Sequence, residues 1–491
     1  MRERSASAWT WLPALLFVAG LALALRLIGL RTATELHIDE VTYSRIAESV
    51  ASGNGVELHG AAFNLHPPGF FYLLGGVIDL FGVRPDSVGR ITELRVVPAV
   101  IGTCTCAMLF TLVWRTAGLI PGIVAGVLYA LDPFVIRFDT RLFLEAQTLF
   151  FVVAGAAALT VRGIGDRYRA PLAGVAFGLA MLSKDTAMYL TVLPMLLIAL
   201  FVPSLRRLVL TAALLACATY IAYLAVVLAT GGLPALLDEK ASGFLRLIGA
   251  RQETGFNQEG GGVTLVETLR RNLPYYGASY ALCGIGTLAA LARVREIRRG
   301  PAHPGVTVLV AIQLCASAYL VYGVFIGTLE EQMFYFMAVP SLACVALLVP
   351  AIAARPVVVR AAVVALGGLW IVASAGSWGT LRSGSDDTYL AYEQWTARHL
   401  PRHARVAVTE EIAQFVQRGA DVGEWATPQQ IQEQNARYAL ISTRLIEDGF
   451  GLADEHLQQW LDRNGQVIFS ARGRTLGELR LYELDPAMVA R

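Results

Sequence analysis

Hydrophobic residues in this chain form long runs that are separated by short polar segments. A helix needs about 20 apolar residues to cross the hydrocarbon core of a bilayer, so we interpret the runs as membrane spans. The pattern predicts eleven spans, at approximately residues 9–30, 93–113, 118–136, 145–161, 171–183, 186–202, 208–229, 276–293, 304–324, 333–353 and 359–378. The fifth and sixth are short, and two helices that do not fully cross are an alternative there.

The composition agrees with a membrane protein. Hydrophobic residues make up 55% of the 491 residues and charged residues only 16%, whereas about a quarter of an average soluble domain is charged. The net charge of +2 gives no general attraction for polyanions, which argues against nucleic acid as a partner. All six cysteines lie in apolar runs, so we expect neither a disulfide framework nor a cysteine metal site.

The arginines between the runs predict the orientation. With a cytoplasmic N-terminus, the inner connections hold twelve basic and three acidic residues, at 1–8, 114–117, 162–170, 203–207, 294–303 and 354–358. This asymmetry satisfies the positive-inside rule. The connections 31–92 and 230–275 and the tail, residues 379–491, then lie outside the cytoplasm. The first apolar run is longer than that of a signal peptide, so we expect it to be retained.

Two outer regions have structure of their own in this prediction. In the first loop, residues 41–50 are amphipathic, and an apolar run from Pro67 to Phe81 is too short to span but suits a helix in the membrane interface. The tail alternates strand-like segments at 405–408, 438–441, 466–469 and 479–482 with helical segments around 386–399, 427–436 and 453–463. We therefore predict a transmembrane module at 1–380 and a small extracytoplasmic α/β domain at 381–491.

An acidic pair, Asp39 and Glu40, follows the first predicted span. One carboxylate at a membrane surface can act as a general base towards an acceptor hydroxyl, while its neighbour pairs with Arg45 or with backbone donors. The alternative is that both acids merely cap a helix that starts near Val41.

Three histidines, His37, His59 and His66, share the first loop with these acids. A divalent cation near this loop is therefore an alternative. However, no H-x-x-H or H-E-x-x-H spacing supports a metal site. We expect no metal and no other required cofactor.

Further charged residues fall at the same predicted membrane face. Arg137, Asp139, Arg141 and Glu145 lie between the third and fourth spans. They either neutralise one another, or the arginines hold a phosphate while Glu145 orients a substrate.

Lys184, one of only two lysines in the chain, ends a short helix at this face. It either contacts a phosphate or pairs with Asp185 or Asp139. Another acidic stretch, beginning at Glu330 and Glu331, precedes the tenth span. Ionisable residues near the membrane favour a functional interpretation.

These motifs together resemble a known family. In chain order they are His37-Ile38-Asp39-Glu40 with Tyr43, His66-Pro67-Pro68, Arg141-x-x-x-Glu145, Gly178-x-x-x-Leu182-x-Lys184, and Glu331-x-x-x-Tyr335 with Pro340. Their order and common face resemble the GT-C glycosyltransferases, in particular the protein O-mannosyltransferase and lipid A aminoarabinose transferase type of glycosyltransferase family 39 and its bacterial relatives. The resemblance covers residues 8–378.

The resemblance implies a polytopic all-α enzyme of a bacterial cell membrane. It would move a sugar, with inversion, from a polyprenyl-phosphate donor to an extracytoplasmic acceptor hydroxyl on a lipid, a glycan or a protein. Asp39 would be the general base, Glu40 its structural partner, Glu145 a second acid near the acceptor, and Arg141 and Lys184 the contacts of the donor phosphate. The remaining substrate-binding candidates are Arg137, Tyr43, His66, Glu331 and Tyr335.

Two other functions stay open. A transporter or flippase of lipid-linked sugars would use buried charges as a relay, but the chain shows no inverted repeat. A sensor that binds a ligand in its tail would not need acids in several membrane loops. The sequence identifies neither the sugar nor the acceptor.

Overall fold

The structure, a computed structural model, describes residues 11–161, 163–248, 250, 264–299, 303–327, 329–417, 420–449 and 452–485. The basic N-terminal start, Arg162 and the end of the tail lie outside these ranges. Helices numbered in chain order are α1 Trp11–Leu27, α2 Ile38–Ala51, α3 Gly69–Phe81, α4 Val88–Leu94, α5 Val96–Ala117, α6 Leu119–Leu131, α7 Pro133–Asp139, α8 Leu144–Thr160, α9 Asp166–Ser183, α10 Val192–Phe201, α11 Arg206–Ala229, α12 Leu233–Leu247, α13 Leu265–Arg299, α14 Pro304–Phe325, α15 Glu331–Ala346, α16 Val349–Ala353, α17 Val357–Ser383, α18 Thr388–His399, α19 Glu411–Val416, α20 Pro428–Glu433, α21 Thr443–Glu447 and α22 Glu455–Asn464. Short 3₁₀ turns at Asp185–Tyr189 and Pro203–Leu205 precede α10 and α11.

All eleven predicted spans fall on helices, and the chain is a multi-pass membrane protein. Among the described residues, six helical segments are long and apolar enough to cross a membrane: Val88–Ala117, Pro203–Ala229, Val266–Arg298, Pro304–Phe325, Glu331–Ala353 and Val357–His399. The bent pair α6 and α7 adds a seventh. Within the described residues, α1, α8 and Asp185–Phe201 are apolar helical segments of only 10–17 residues, so the number eleven stays a prediction.

The bend between α6 and α7 turns the chain towards the site. The two helices meet at 67°. Asp132 ends α6, and its Oδ1 accepts hydrogen bonds from the backbone N–H groups of Phe134 and Val135, each at 3.0 Å. Pro133 occupies the first position of α7, where its missing N–H costs nothing. The Asp-Pro pair therefore stops one helix and starts the next.

The first loop folds into α2, a small antiparallel hairpin (β1 Glu57–Leu58 and β2 Ala61–Ala62), α3 and α4. Gly75 allows α3 to approach α2, because a Cβ there would lie 2.9 Å from the carbonyl oxygen of Ala47. The opposite side of α3 leaves Tyr72, Leu80 and Phe81 exposed. This apolar face suits a helix in the membrane interface.

The tail forms a five-stranded mixed sheet flanked by helices. Its strands are β3 Arg405–Val408, β4 Asp421–Gly423, β5 Tyr438–Ser442, β6 Gly465–Gly473 and β7 Gly477–Leu484. Their order is β4-β3-β5-β7-β6, with β3 parallel to β4 and β5, and β7 antiparallel to β5 and β6. The four predicted strand segments are all strands. The fifth strand, β4, was not predicted, because its three residues are too few to show an alternating pattern.

The tail and the first loop share one hydrophobic core. Its buried residues include Ile46, Phe70, Leu74 and Ile91 of the first loop and Tyr389, Val406, Phe415 and Leu479 of the tail. Packing therefore continues across the predicted boundary at residues 380 and 381. Apolar burial of this kind stabilises the two regions as one unit.

Candidate functional site

The N-terminus of α2 places the acidic pair. His37 is the N-cap, and its Nδ1 accepts a hydrogen bond from the backbone N–H of Asp39 at 3.2 Å. Glu40 completes a capping box by accepting from the N–H of His37 at 3.1 Å. Capping is therefore the correct interpretation for Glu40, which accepts a backbone N–H group at the start of α2. The helix begins at Ile38 rather than near Val41.

His37 is held in its neutral form. Desolvation, followed by the nearby charge of Arg141, lowers the pKa of His37 to about 4. The geometry agrees, because Nδ1 can accept the Asp39 N–H only when it carries no proton.

Glu40 lies fully buried in an ion pair with Arg95. Oε1 accepts from Arg95 Nε at 2.8 Å, and Oε2 accepts from Arg95 Nη2 at 2.7 Å. The N–H of Leu142 adds a bond to Oε1 at 3.1 Å. Burial alone would raise the pKa of Glu40, but Arg95, Arg141 and the N–H of Leu142 together outweigh it, and the pKa is lowered. Of the two predicted kinds of partner, backbone N–H donors are confirmed for Glu40, and the Arg45 guanidinium lies over the Phe415 ring at 4.8 Å.

A cavity of about 450 Å³ opens beside Asp39. Four predicted residues line it: Asp39, Tyr43, His66 and Lys184. The Asp39 side chain is 44% exposed, so its carboxylate is accessible to a ligand. The other lining residues include Phe63, Leu65, Asp185, Thr186, Tyr220, Lys240, Phe244, Tyr319, Glu330 and Met333. The cavity thus combines charged groups with aromatic and apolar surface.

Both lysines of the chain line this cavity. Lys184 makes a buried ion pair with Glu145, so the expected partners Asp185 and Asp139 are wrong. Lys240, on α12, donates to Asp185 Oδ2 at 2.5 Å and to the carbonyl oxygen of Leu65 at 2.8 Å. Two ammonium groups on different elements therefore converge on one space.

The two arginines of the third connection, which joins the third and fourth predicted spans, have different surroundings. Arg137 forms an ion pair with Glu331 and lies over the ring of Tyr276 at 5.4 Å. Arg141 is 4% exposed and lies over the ring of Phe143 at 5.6 Å. Its Nε has no hydrogen-bond partner among the residues the structure describes. Burial and then the charge of Arg137 lower the pKa of Arg141 to about 10, so it stays a cation at neutral pH.

Known proteins provide an independent comparison for this fold. Residues 65–230 match the family model "Dolichyl-phosphate-mannose-protein mannosyltransferase". ArnT from Cupriavidus metallidurans, solved bound to undecaprenyl phosphate, is 12% identical with a TM-score of 0.60, and the match covers 98% of this chain and 99% of ArnT. The oligosaccharyltransferase AglB from Archaeoglobus fulgidus, in complex with an inhibitory peptide and a dolichol-phosphate, is 12% identical with a TM-score of 0.58, covering 96% of this chain and 74% of AglB.

The chain has the GT-C fold. The resemblance predicted from the sequence motifs is thereby confirmed as a likeness to the mannosyltransferase family model and, in fold, to ArnT and AglB. No curated protein sequence matches the chain.

Within this GT-C fold, Tyr335 lies behind the cavity rather than in it. It is fully buried, its hydroxyl donates to Asp139 and its ring stacks on Phe138 at 4.8 Å. Asp139 also accepts from Arg26 Nη2 at 2.6 Å and from the Tyr129 hydroxyl at 2.9 Å. The idea that the third connection neutralises itself is therefore wrong, because the partners of its charges come from other helices.

The predicted site residues thus fall into two groups. Asp39, Tyr43, His66 and Lys184 line the cavity. Glu40, Glu145, Arg137, Glu331, Arg141 and Tyr335 are absent from its lining, and all but Arg141 hold charged or polar partners. Lys240, Asp185 and Glu330 were not among the predicted site residues. The rarity of lysine was the one signal for Lys240.

In the ranges that the structure describes, no group of three or more histidine, cysteine or acidic side chains is arranged to hold a metal ion. His59 lies in the β1–β2 turn with φ +54°, outside the cavity lining. The three first-loop histidines do not form a shared cluster.

Proposed function

We propose that this protein transfers a sugar from a polyprenyl-phosphate donor to an extracytoplasmic acceptor hydroxyl on a lipid, a glycan or a protein. The observation that carries the proposal is one cavity lined by an accessible carboxylate, Asp39, and by both lysines of the chain. A transfer from a lipid phosphate needs these two kinds of group: a base for the attacking hydroxyl and cations for the leaving phosphate.

The cations hold the donor phosphate in this proposal. Lys184 and Lys240 both contribute to the cavity lining. Arg141 does not line the cavity, but it is the remaining predicted contact of the phosphate, with a buried guanidinium and an unused Nε–H donor. Charge-assisted hydrogen bonds to phosphate are about twice as strong as neutral ones, and they stabilise the negative charge that grows as the phosphate leaves.

Asp39 serves as the general base. Its carboxylate takes the proton of the acceptor hydroxyl while that oxygen attacks the anomeric carbon from the face opposite the phosphate. The bond from that carbon to the phosphate oxygen breaks, and polyprenyl phosphate leaves with the bonding electrons. The sugar is transferred with inversion. Only one carboxylate has to touch the reacting atoms, which fits the single accessible acid of the His37–Glu40 motif.

The other predicted residues support this centre. Tyr43 and His66 lie edge to face, with ring centroids 5.9 Å apart, and form an aromatic wall for the sugar. Glu40 fixes the start of α2 through Arg95. Glu145 sets the position of Lys184, and Glu331 sets that of Arg137. Tyr335 holds the buried Asp139 by a hydrogen bond and does not contact the substrate.

We also propose the topology in which this chemistry takes place. Eleven spans, with the N-terminus in the cytoplasm of a bacterial cell, bring the cavity and the tail to the outer face. The transmembrane module at residues 1–380 carries the chemistry, and residues 381–491 form the small α/β domain. The arginine-rich inner loops support this orientation.

The decisive experiment compares Asp39→Asn with a matched change, Asp79→Asn. Asp79 is an exposed first-loop aspartate on α3, outside the cavity lining. We expect Asp39→Asn to bind polyprenyl phosphate normally but to transfer sugar about 10²–10⁴ times more slowly, which is the usual contribution of a general base. Asp79→Asn should match the wild type.

Normal turnover by Asp39→Asn would contradict the assignment of the base. Glu145 would then be the next carboxylate to test. Movement of lipid-linked sugar across a vesicle membrane without transfer to any acceptor would instead support a flippase.

A further inference from the structure

One arginine, Arg95, holds one side of the short segment before Asp39, residues 32–37. Arg95 has five N–H donors, and the structure gives five hydrogen bonds to its guanidinium. Two go to Glu40. The other three go to the carbonyl oxygens of Leu30 at 3.3 Å, Thr34 at 2.8 Å and Glu35 at 3.1 Å. The guanidinium therefore fixes both the capping residue of α2 and the backbone that leads to it.

The tail holds the same segment from the other side. Glu35 is 1% exposed. Its Oε2 accepts from the backbone N–H of Thr388 at 2.7 Å and from the Thr388 hydroxyl at 2.6 Å. Its Oε1 accepts from the N–H of Leu36 at 2.8 Å. One carboxylate thus connects the first residue of α18 to the backbone that precedes α2.

A second connection runs through Asp386, which is 1% exposed. Its backbone N–H donates to the carbonyl oxygen of Thr32 at 2.8 Å. Its side chain accepts from the Thr475 N–H at 2.9 Å and from the Thr475 hydroxyl at 2.7 Å, and it pairs with Arg474 at 3.1 Å. Arg474 also reaches the carbonyl oxygen of Ala33 at 3.4 Å. The turn between β6 and β7 is therefore part of the same attachment.

We infer that the tail is a positioning element for the catalytic carboxylate, and that Glu35 and Thr388 are the positioning residues that connect them. The inference rests on the proposed function, because it takes Asp39 as the base. Asp39 lies only four residues beyond Glu35, and the chain between them has its polar contacts fixed at both ends. A small displacement of a catalytic group reduces the rate far more than it reduces ligand binding.

The test uses Thr388→Val in the full chain, with Thr443→Val as its matched control. Thr443 is also a tail threonine, and its hydroxyl accepts from the N–H of Glu478 at 2.9 Å within the tail. We expect Thr388→Val to lower kcat about tenfold with an unchanged KM for the donor. Hydrogen exchange at residues 32–40 should increase. Thr443→Val should change neither quantity.

A double variant tests the connection itself. Both carboxylate oxygens of Glu35 accept hydrogen bonds, so in Glu35→Gln the amide NH₂ group must replace one acceptor and face an N–H or O–H donor. Glu35→Gln therefore weakens the same contact as Thr388→Val. We expect the double variant to lose no more activity than the more affected single variant, because interacting residues are not additive. Independent, additive losses would overturn the connection.

Three other results would also overturn the inference. The first is wild-type kcat in Thr388→Val despite faster exchange at residues 32–40. The second is an equal loss of kcat in Thr388→Val and Thr443→Val, which would indicate general damage to the tail. If the wild type transfers no sugar, the proposed function fails by itself. Hydrogen exchange then tests whether the tail holds residues 32–40. Equal exchange at these residues in Thr388→Val and Thr443→Val is the third result that would overturn the inference.

Discussion

Glu40→Gln separates stability from catalysis at the start of α2. The glutamate oxygens accept four hydrogen bonds, two from Arg95 and one each from the N–H groups of His37 and Leu142. The glutamine amide keeps only one of these oxygens. Its NH₂ group replaces the other oxygen and cannot accept the two hydrogen bonds that this oxygen accepted. It also leaves the buried charge of Arg95 without its counterion. We therefore expect Glu40→Gln to act mainly on the fold.

The expected magnitude follows from burial. Both side chains of the pair are 0% exposed, and removing one partner of a buried ion pair costs about 3–5 kcal/mol. By contrast, Glu93 pairs with Arg90 at the surface, at 2.9 Å, with side chains 25% and 54% exposed. Exposed pairs contribute about 0–1 kcal/mol. Glu93→Gln is thus a matched control in the same loop.

Equilibrium unfolding in mixed detergent micelles, followed by circular dichroism, measures the difference. We expect the free energy of unfolding to fall by about 3–5 kcal/mol in Glu40→Gln and by less than about 1 kcal/mol in Glu93→Gln. The transfer rate of the Glu40→Gln protein that remains folded should fall less than that of Asp39→Asn. Glu40→Gln combined with Arg95→Met should cost less than the two single changes together, because no lone buried charge is left.

Two results would refute this reasoning. Equal stability of Glu40→Gln and Glu93→Gln would show that the buried pair does not stabilise the fold. A folded Glu40→Gln protein as inactive as Asp39→Asn would show that Glu40 takes part in the chemistry.

Three further predictions concern residues around the site. Lys240→Met should weaken polyprenyl phosphate binding by about 1.5–3 kcal/mol in calorimetry, whereas unchanged affinity would restrict Lys240 to holding α12. Burial, and then the charge of Glu35, raise the pKa of Glu410 to about 8. The contribution of Glu410 to stability is therefore full below about pH 4.5 and is lost as the pH rises towards 8. Glu410→Gln should reduce this fall in the thermal unfolding midpoint, and an unchanged pH profile of the midpoint would contradict the prediction. Tyr335→Phe should cost about 1 kcal/mol of stability with normal turnover, and a selective loss of activity would instead place Tyr335 against the substrate.

The helical architecture was predictable because lipid solvation leaves a strong signal in one sequence. Each apolar run had to become a helix, since a backbone in hydrocarbon must satisfy its own hydrogen bonds. Hydropathy does not reveal where a helix bends or stops short. Asp132 and Pro133 interrupt one apolar run, and Asp185–Phe201 is too short for a full crossing. The number of crossings therefore depends on helix packing as well as on apolar length.

The acids and cations of the site were predictable as types but not as pairs. Glu40 and Arg95 are 55 positions apart, and Arg137 and Glu331 are 194 positions apart. No local periodicity specifies which helices face each other over such separations. The position of Lys240 was not predictable for a related reason, because α12 lies in the long connection at residues 230–275 and contributes to the cavity only through the tertiary structure. The rarity of lysine in the sequence drew attention to Lys240, but only the tertiary structure shows that its partners are Asp185 and Leu65.

Pairing also explains how such a site can bind a phosphate and later release it. Each cavity lysine already has a carboxylate partner, Glu145 for Lys184 and Asp185 for Lys240. A phosphate therefore competes with these carboxylates, and its affinity is the difference between two ion pairs rather than the full strength of one. A donor phosphodiester carries one negative charge, whereas the phosphate monoester left after transfer carries about 1.5–2 near neutral pH. In the proposed reaction, the lysines consequently favour the leaving group over the donor, which assists bond breaking, while the carboxylates remain close enough to pair with the lysines again when the product departs.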